Sequence, residues 1–74
     1  MKEKVLSIVR NIKKGHVIND DDHLVFDRIL SSLETLTLIS ELESEFKIKI
    51  PVEAVIPENF DTVDSIVELV KSLT

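Results

Sequence analysis

The chain has no cysteine, tryptophan or tyrosine, and only one glycine and two prolines among its 74 residues. Without a thiol there is neither a disulfide nor a thiolate metal site, which argues against a stapled secreted mini-fold and leaves the cytoplasm as the default compartment. The single glycine, Gly15, excludes the GxSxG turn of serine hydrolases and the glycine loops that cradle nucleotide phosphates. No stretch approaches the roughly 18 apolar residues that span a bilayer, and the opening MKEKVLSIVRNIKKG lacks a signal-peptide apolar run, so no membrane insertion is expected. Positive charge is also scarce. Nine Lys and Arg face 14 Asp and Glu, and a net charge of −5 repels the phosphate backbone on which nucleic-acid binding depends. The same balance favours partners with basic surfaces.

The length suits one domain over residues 1–74, and a core of this size buries only about 60% of the unfolded surface. Its apolar content is aliphatic, with Phe26, Phe46 and Phe60 as the only aromatics. From Glu3 to Lys14, the residues Val5, Ile8, Val9 and Ile12 recur every three or four positions, which predicts an amphipathic first helix. Lys13 and Lys14 suit its negative end, and Gly15 can terminate it in the left-handed conformation. The segment HVINDDDHLVFDRIL then forms a long crossover, and Val17, Ile18, Leu24, Val25, Phe26, Ile29 and Leu30 are expected to pin it across the bundle.

A second helix is predicted from Ser31 or Ser32 to about Phe46, because Ser31 followed by Glu34 reads as a capping box. KIKIP alternates like a short extended strand, and a brief turn or helix over Val52–Phe60, interrupted by Pro57, follows. Asp61 is expected to cap a last helix whose Val63, Ile66, Val67, Val70 and Leu73 face inward. The fold class is therefore all-α, a four-helix bundle of three main helices plus a short third one, with a long first crossover loop.

Along the second helix, steps of about 100° per residue place Leu38, Ile39, Leu42 and Phe46 in one buried arc. Leu33 falls opposite them in a lane shared with Thr37, Ser40 and Ser44, and Leu36 lies at the margin of the arc. Glu34, Glu41 and Glu45 share a face beside that lane. Leu33 either packs under the long crossover or stays outward, and an outward leucine rimmed by acids describes a solvated face or a docking surface, apolar in the middle and charged at its edge.

The stretch SSLETLTLISELESEFKIKIP resembles the region around the modification site of acyl carrier proteins, in which a serine followed by leucine opens the second helix. NFDTVDSIVELV is similar to that family's final loop and helix, and the resemblance covers essentially the whole chain. It implies that Ser32 receives a 4′-phosphopantetheine arm from coenzyme A through a separate phosphopantetheinyl transferase, and that the arm's thiol holds acyl or aminoacyl groups as thioesters. The chain would then be a non-catalytic, monomeric carrier. Its partners would be adenylating, acyl-transferring and acyl-processing enzymes with basic surfaces, which dock on Leu33, Glu34, Leu36, Glu41 and Glu45. LVFDRILSSL and NFDT look more similar to D-alanyl and other free-standing aminoacyl carriers than to fatty-acid carriers.

Two departures stand out. Ser31 occupies the place of the family's usual aspartate, and Arg28 and Ile29 stand where a glycine is common. Ser31 is the less favoured attachment point, because Ser32 aligns with Leu33 without a gap and Ser31 then serves as the helix cap. The alternative reading is an unmodified helical interaction or scaffold module with a degenerate carrier site. His16, His23 and Asp20, Asp21 and Asp22 read as a solvated loop, since the calcium-loop spacing is absent and no metal is expected.

Overall fold

Helix α1 spans Lys2–Ile12 in the computed structural model, which describes residues 1–74, and it buries Val5 and Val9 completely. It stops two residues earlier than its periodicity predicts. Lys13 closes it by donating its N–H to the Val9 carbonyl, and Gly15, at φ 89°, turns the chain away. Helix α2 covers Ser32–Phe46, α3 is a single turn at Pro57–Phe60, and α4 runs over Val63–Leu73. The all-helical, four-helix expectation holds. Helix α1 packs on both α2 and α4, while α3 leans on α4.

One apolar cluster joins them. Leu38 and Leu42 from α2, Val63, Ile66 and Val70 from α4, and Phe60 from α3 are all buried, whereas Ile39 and Phe46 are only partly covered. Leu69 also turns inward, which the spacing did not single out.

The crossover, residues 13–31, is a succession of turns pinned at Ile18, Leu24 and Leu30. Arg10 holds its first part from α1, because Nε and Nη2 both donate to the Ile18 carbonyl at 3.2 and 3.0 Å. Val17 and Phe26, expected among the pins, are 85% and 61% exposed instead. Each adjoins a buried or half-buried residue in chain lacking regular periodicity, so neighbouring side chains diverge to opposite sides.

Three further expectations are corrected. KIKIP forms no strand, since there is no second strand to complete a ladder. Lys47 takes the left-handed conformation at φ 54°, Ile48 and Ile50 are buried, and Glu43 accepts both their N–H groups, one at its carbonyl and one at Oε2. The segment Val52–Phe60 is divided as expected, into a 3-10 turn at Val52–Ala54 and α3, but the break falls at Val55 and Ile56, and Pro57 opens α3 at its first position, where a missing N–H costs nothing. The cap of α4 is Thr62, whose hydroxyl accepts from the Ser65 N–H at 3.0 Å; Asp61 is buried and bonded elsewhere.

Arg28, one of the two residues at the family's glycine position, holds φ 57°. A side chain there carries strain of about 1–2 kcal/mol, partly offset in a glycine variant by the extra freedom of its unfolded chain. Arg28→Gly is therefore expected to gain about 0.5 kcal/mol, raising the calorimetric melting temperature by about 2–4 °C.

Candidate functional site

The start of α2 is a reciprocal cap. The Ser31 hydroxyl accepts from the Glu34 N–H at 3.1 Å while the Glu34 carboxylate accepts from the Ser31 N–H at 2.9 Å. Lys13 closes the arrangement from the end of α1, its Nζ lying 3.2–3.3 Å from both Glu34 carboxylate oxygens. The Ser31 N–H, followed by the Lys13 ammonium, holds the Glu34 carboxyl below its ordinary pKa.

That commitment distinguishes the two adjacent serines. The Ser31 hydroxyl serves the helix, and its carbonyl accepts from both the N–H and the hydroxyl of Thr35. Ser32, the first residue of α2, is exposed, and its hydroxyl has no protein partner. The N–H groups of Ser32 and Leu33 also lack protein acceptors, as the first donors of a helix do. An anion esterified at Ser32 would sit beside two free donors and the positive end of the α2 dipole. The residues present fit a phosphodiester.

Leu33 is 76% exposed, as expected, and Leu36, expected at the margin of the buried arc, is 59% exposed, so α2 shows an apolar outer surface. Beside it runs a groove of about 340 Å³ between α2 and the segment of Val55–Phe60, lined chiefly by Val25, Leu36, Ile39, Ile56 and Phe60, with Ser32 among its polar members. Sequence spacing did not reveal this groove, because Val25 and Phe60 reach it from separate segments.

The acidic face of α2 is turned towards α1. Glu34 pairs with Lys13, Glu45 lies 2.9 Å from Lys4, and Glu41 lines a cleft with Arg10 and Lys14 without an ion pair. Of the three acids, only Glu41 is unengaged by a cation.

His23 is not simply solvated, as the loop reading had it: its Nδ1 lies 2.5 Å from Asp61 Oδ2. Burial alone would raise the Asp61 pKa, but hydrogen bonds from the Phe26 N–H, the His23 ring and the Val25 N–H outweigh it and hold the group below the usual carboxylate range. The bond to Asp61, then its charge, raises the His23 pKa.

Residues 3–70 match the family model described as a phosphopantetheine attachment site. The chain is 38% identical over 74 residues to the D-alanyl carrier protein of Streptococcus uberis, covering 99% of this chain and 94% of that one. It is 30% identical over 73 residues to aminoacyl carrier protein 2 of Bradyrhizobium diazoefficiens, covering 95% and 82% respectively. Its fold is similar, with a TM-score of 0.81 at 22% identity, to a chain in the crystal structure of Bradyrhizobium japonicum glycine:(carrier protein) ligase complexed with glycylated carrier protein, covering 92% of this chain and 95% of that one.

Proposed function

The chain belongs to the phosphopantetheine-attachment carrier family, and from that premise we propose that Ser32 carries the arm and that the cargo is an aminoacyl group, with D-alanine the foremost candidate. The family match supports covalently attached 4′-phosphopantetheine, and the names of the relatives support the aminoacyl class. When bound, the arm supplies a thiol that holds such groups as thioesters, a chemistry this cysteine-free chain otherwise lacks. The observation that carries the choice of serine is the free, exposed Ser32 hydroxyl beside a Ser31 hydroxyl already engaged as a cap.

The protein's own residues do the positioning. The cap fixes where α2 begins and hence where Ser32 stands, and the unpartnered N–H groups of Ser32 and Leu33 favour negative charge there. Lys13 neutralises Glu34, the carboxylate nearest in the helix, so a phosphodiester would meet little repulsion from it. No base is needed beside Ser32, because a phosphopantetheinyl transferase provides the chemistry of attachment. We therefore read the chain as a non-catalytic, monomeric carrier, a single domain over residues 1–74 that works in the cytoplasm. No helix of the structure is long and apolar enough to cross a membrane.

Leu33 and Leu36 form the apolar middle of the proposed docking surface for the transferase and for adenylating or acyl-transferring partners. Glu41 is its directly available acid, while Glu34 and Glu45 would have to exchange Lys13 and Lys4 for a partner's cations. Glu41→Lys is accordingly expected to slow association with a basic partner and weaken its salt dependence without disturbing the fold. Stopped-flow association rates at low and high salt would check it, and equal rates for variant and wild type would remove Glu41 from the surface.

Incubating the purified chain with coenzyme A and a broad-specificity transferase tests the central claim. The intact mass is expected to rise by one phosphopantetheine. Complete absence of the adduct would overturn the carrier reading in favour of an unmodified scaffold.

A further inference from the structure

Asp61 is only 5% exposed, and four consecutive loop residues converge on it. Its Oδ1 accepts the Val25 and Phe26 N–H groups at 3.1 and 2.8 Å, its Oδ2 meets His23 Nδ1 at 2.5 Å, and its main-chain oxygen accepts the Leu24 N–H at 2.5 Å. The side-chain bonds bridge 35 to 38 positions of sequence. Helix capping, the role its sequence position suggested, belongs to Thr62.

The place of this bolt gives it a consequence. Val25 lines the groove from the crossover side, Phe60 lines it from α3 and directly precedes Asp61, and Ser32 borders the same groove. The separation between the loop wall and α3 therefore depends on what Asp61 holds. We propose that Asp61 is a positioning residue, controlled by His23, which fixes the loop wall of this groove and thereby the opening beside Ser32. Its bearing on loading rests on Ser32 being the attachment site.

His23 suits the controlling part because its ring is at the surface while its partner is buried, the two side chains being 57% and 7% exposed. The charged groups around it act in one direction. Asp61 faces it from the junction of α3 and α4, and Asp27 and Asp21 from its own loop. Lys2 of α1 is committed to Asp20 of the same loop and to Asp64 of α4 at 3.3 and 3.0 Å. The carboxylates raise the His23 pKa, so the imidazolium's contribution is complete below the ordinary histidine value of 6.5 and is lost as pH rises through the raised one. Loss of the proton turns an imidazolium–carboxylate ion pair into a weaker bond from a neutral ring to the Asp61 carboxylate. At the acid end, Asp61 keeps its charge to below its ordinary value of 3.8, so the bolt is tightest in mildly acidic solution and loosens with alkali.

NMR on the full chain from about pH 5 to about pH 9, a range spanning histidine titration, reads this directly. The methyl groups of Val25, Leu36 and Ile56 are expected to shift with the same midpoint as the His23 imidazole. Amide protection factors at Val25 and Phe26 should fall severalfold above it. His23→Asn keeps a donor near the Nδ1 position without the charge and is expected to abolish both effects. Asp61→Asn is expected to move the imidazole midpoint down; an unmoved midpoint would refute the pairing. Methyl groups that ignore the imidazole, or that titrate unchanged in His23→Asn, would overturn the control.

For the functional half, KM for phosphopantetheine transfer to wild type, divided by that for His23→Asn, should rise severalfold through the same midpoint while the kcat ratio stays level. A flat KM ratio would detach the bolt from loading. If wild-type chain takes up no arm, the carrier reading fails, whereas the methyl titration still decides whether His23 governs the groove.

Discussion

Ser32→Ala is expected to take up no phosphopantetheine while remaining folded, and Ser31→Ala to take it up with reduced stability. The two hydroxyls are neighbours in sequence but have opposite employment. Removing the Ser31 hydroxyl leaves the Glu34 N–H without its acceptor, a cap loss of about 1 kcal/mol. Removing the Ser32 hydroxyl breaks no bond within the protein, since it makes none, and alanine is a good residue for a first helical turn. Intact-mass spectrometry after incubation with coenzyme A and transferase, paired with thermal denaturation, separates the outcomes. An adduct that survives Ser32→Ala and disappears in Ser31→Ala would transfer the attachment to Ser31.

The second large effect concerns the core. Phe60 is 1% exposed, the only fully buried aromatic, and it belongs to a helix of just one turn. Phe60→Ala is expected to cost about 3–5 kcal/mol, since so short a helix has few neighbours able to collapse into the space. A chain of 74 residues has about 4–11 kcal/mol in total at typical per-residue stabilities, so the substitution would remove a large share of it. Urea denaturation followed by circular dichroism would show a lowered midpoint with an unchanged slope. A cost below about 1 kcal/mol would mean that α3 contributes little to holding the bundle together.

The main helices were legible because their apolar residues keep the helical period and their ends carry local signals. Ser31 and Glu34 are three positions apart and bond each other, so the capping box could be read and then found. Leu33 was likewise placed outward by angle alone, whereas Leu36, placed at the margin of the buried arc, proves more exposed than its angle suggested. What eluded the sequence depends on distant partners. Nothing near Asp61 in the chain indicates that Val25, Phe26 and His23 will come to it, and a position before a helix looked like a cap. Glu34, Glu41 and Glu45 were correctly grouped on one face, yet periodicity does not tell that α1 brings Lys13 and Lys4 against that face. The alternation in KIKIP was real as burial of Ile48 and Ile50, but a strand also requires a partner.

If Ser32 carries the arm as proposed, the two open N–H groups at the head of α2 couple its attachment to the folding equilibrium. A phosphodiester on Ser32 adds negative charge where the helix ends positive, which stabilises the folded form by about 0.3–1 kcal/mol. The unfolded chain has no such aligned dipole and gains nothing comparable. Around the thermodynamic cycle formed by folding and modification, the same free energy must appear on both paths. Chains bearing the arm at Ser32 would therefore fold more favourably, and a folded Ser32 would accept its phosphodiester more favourably than the same serine in an unfolded chain.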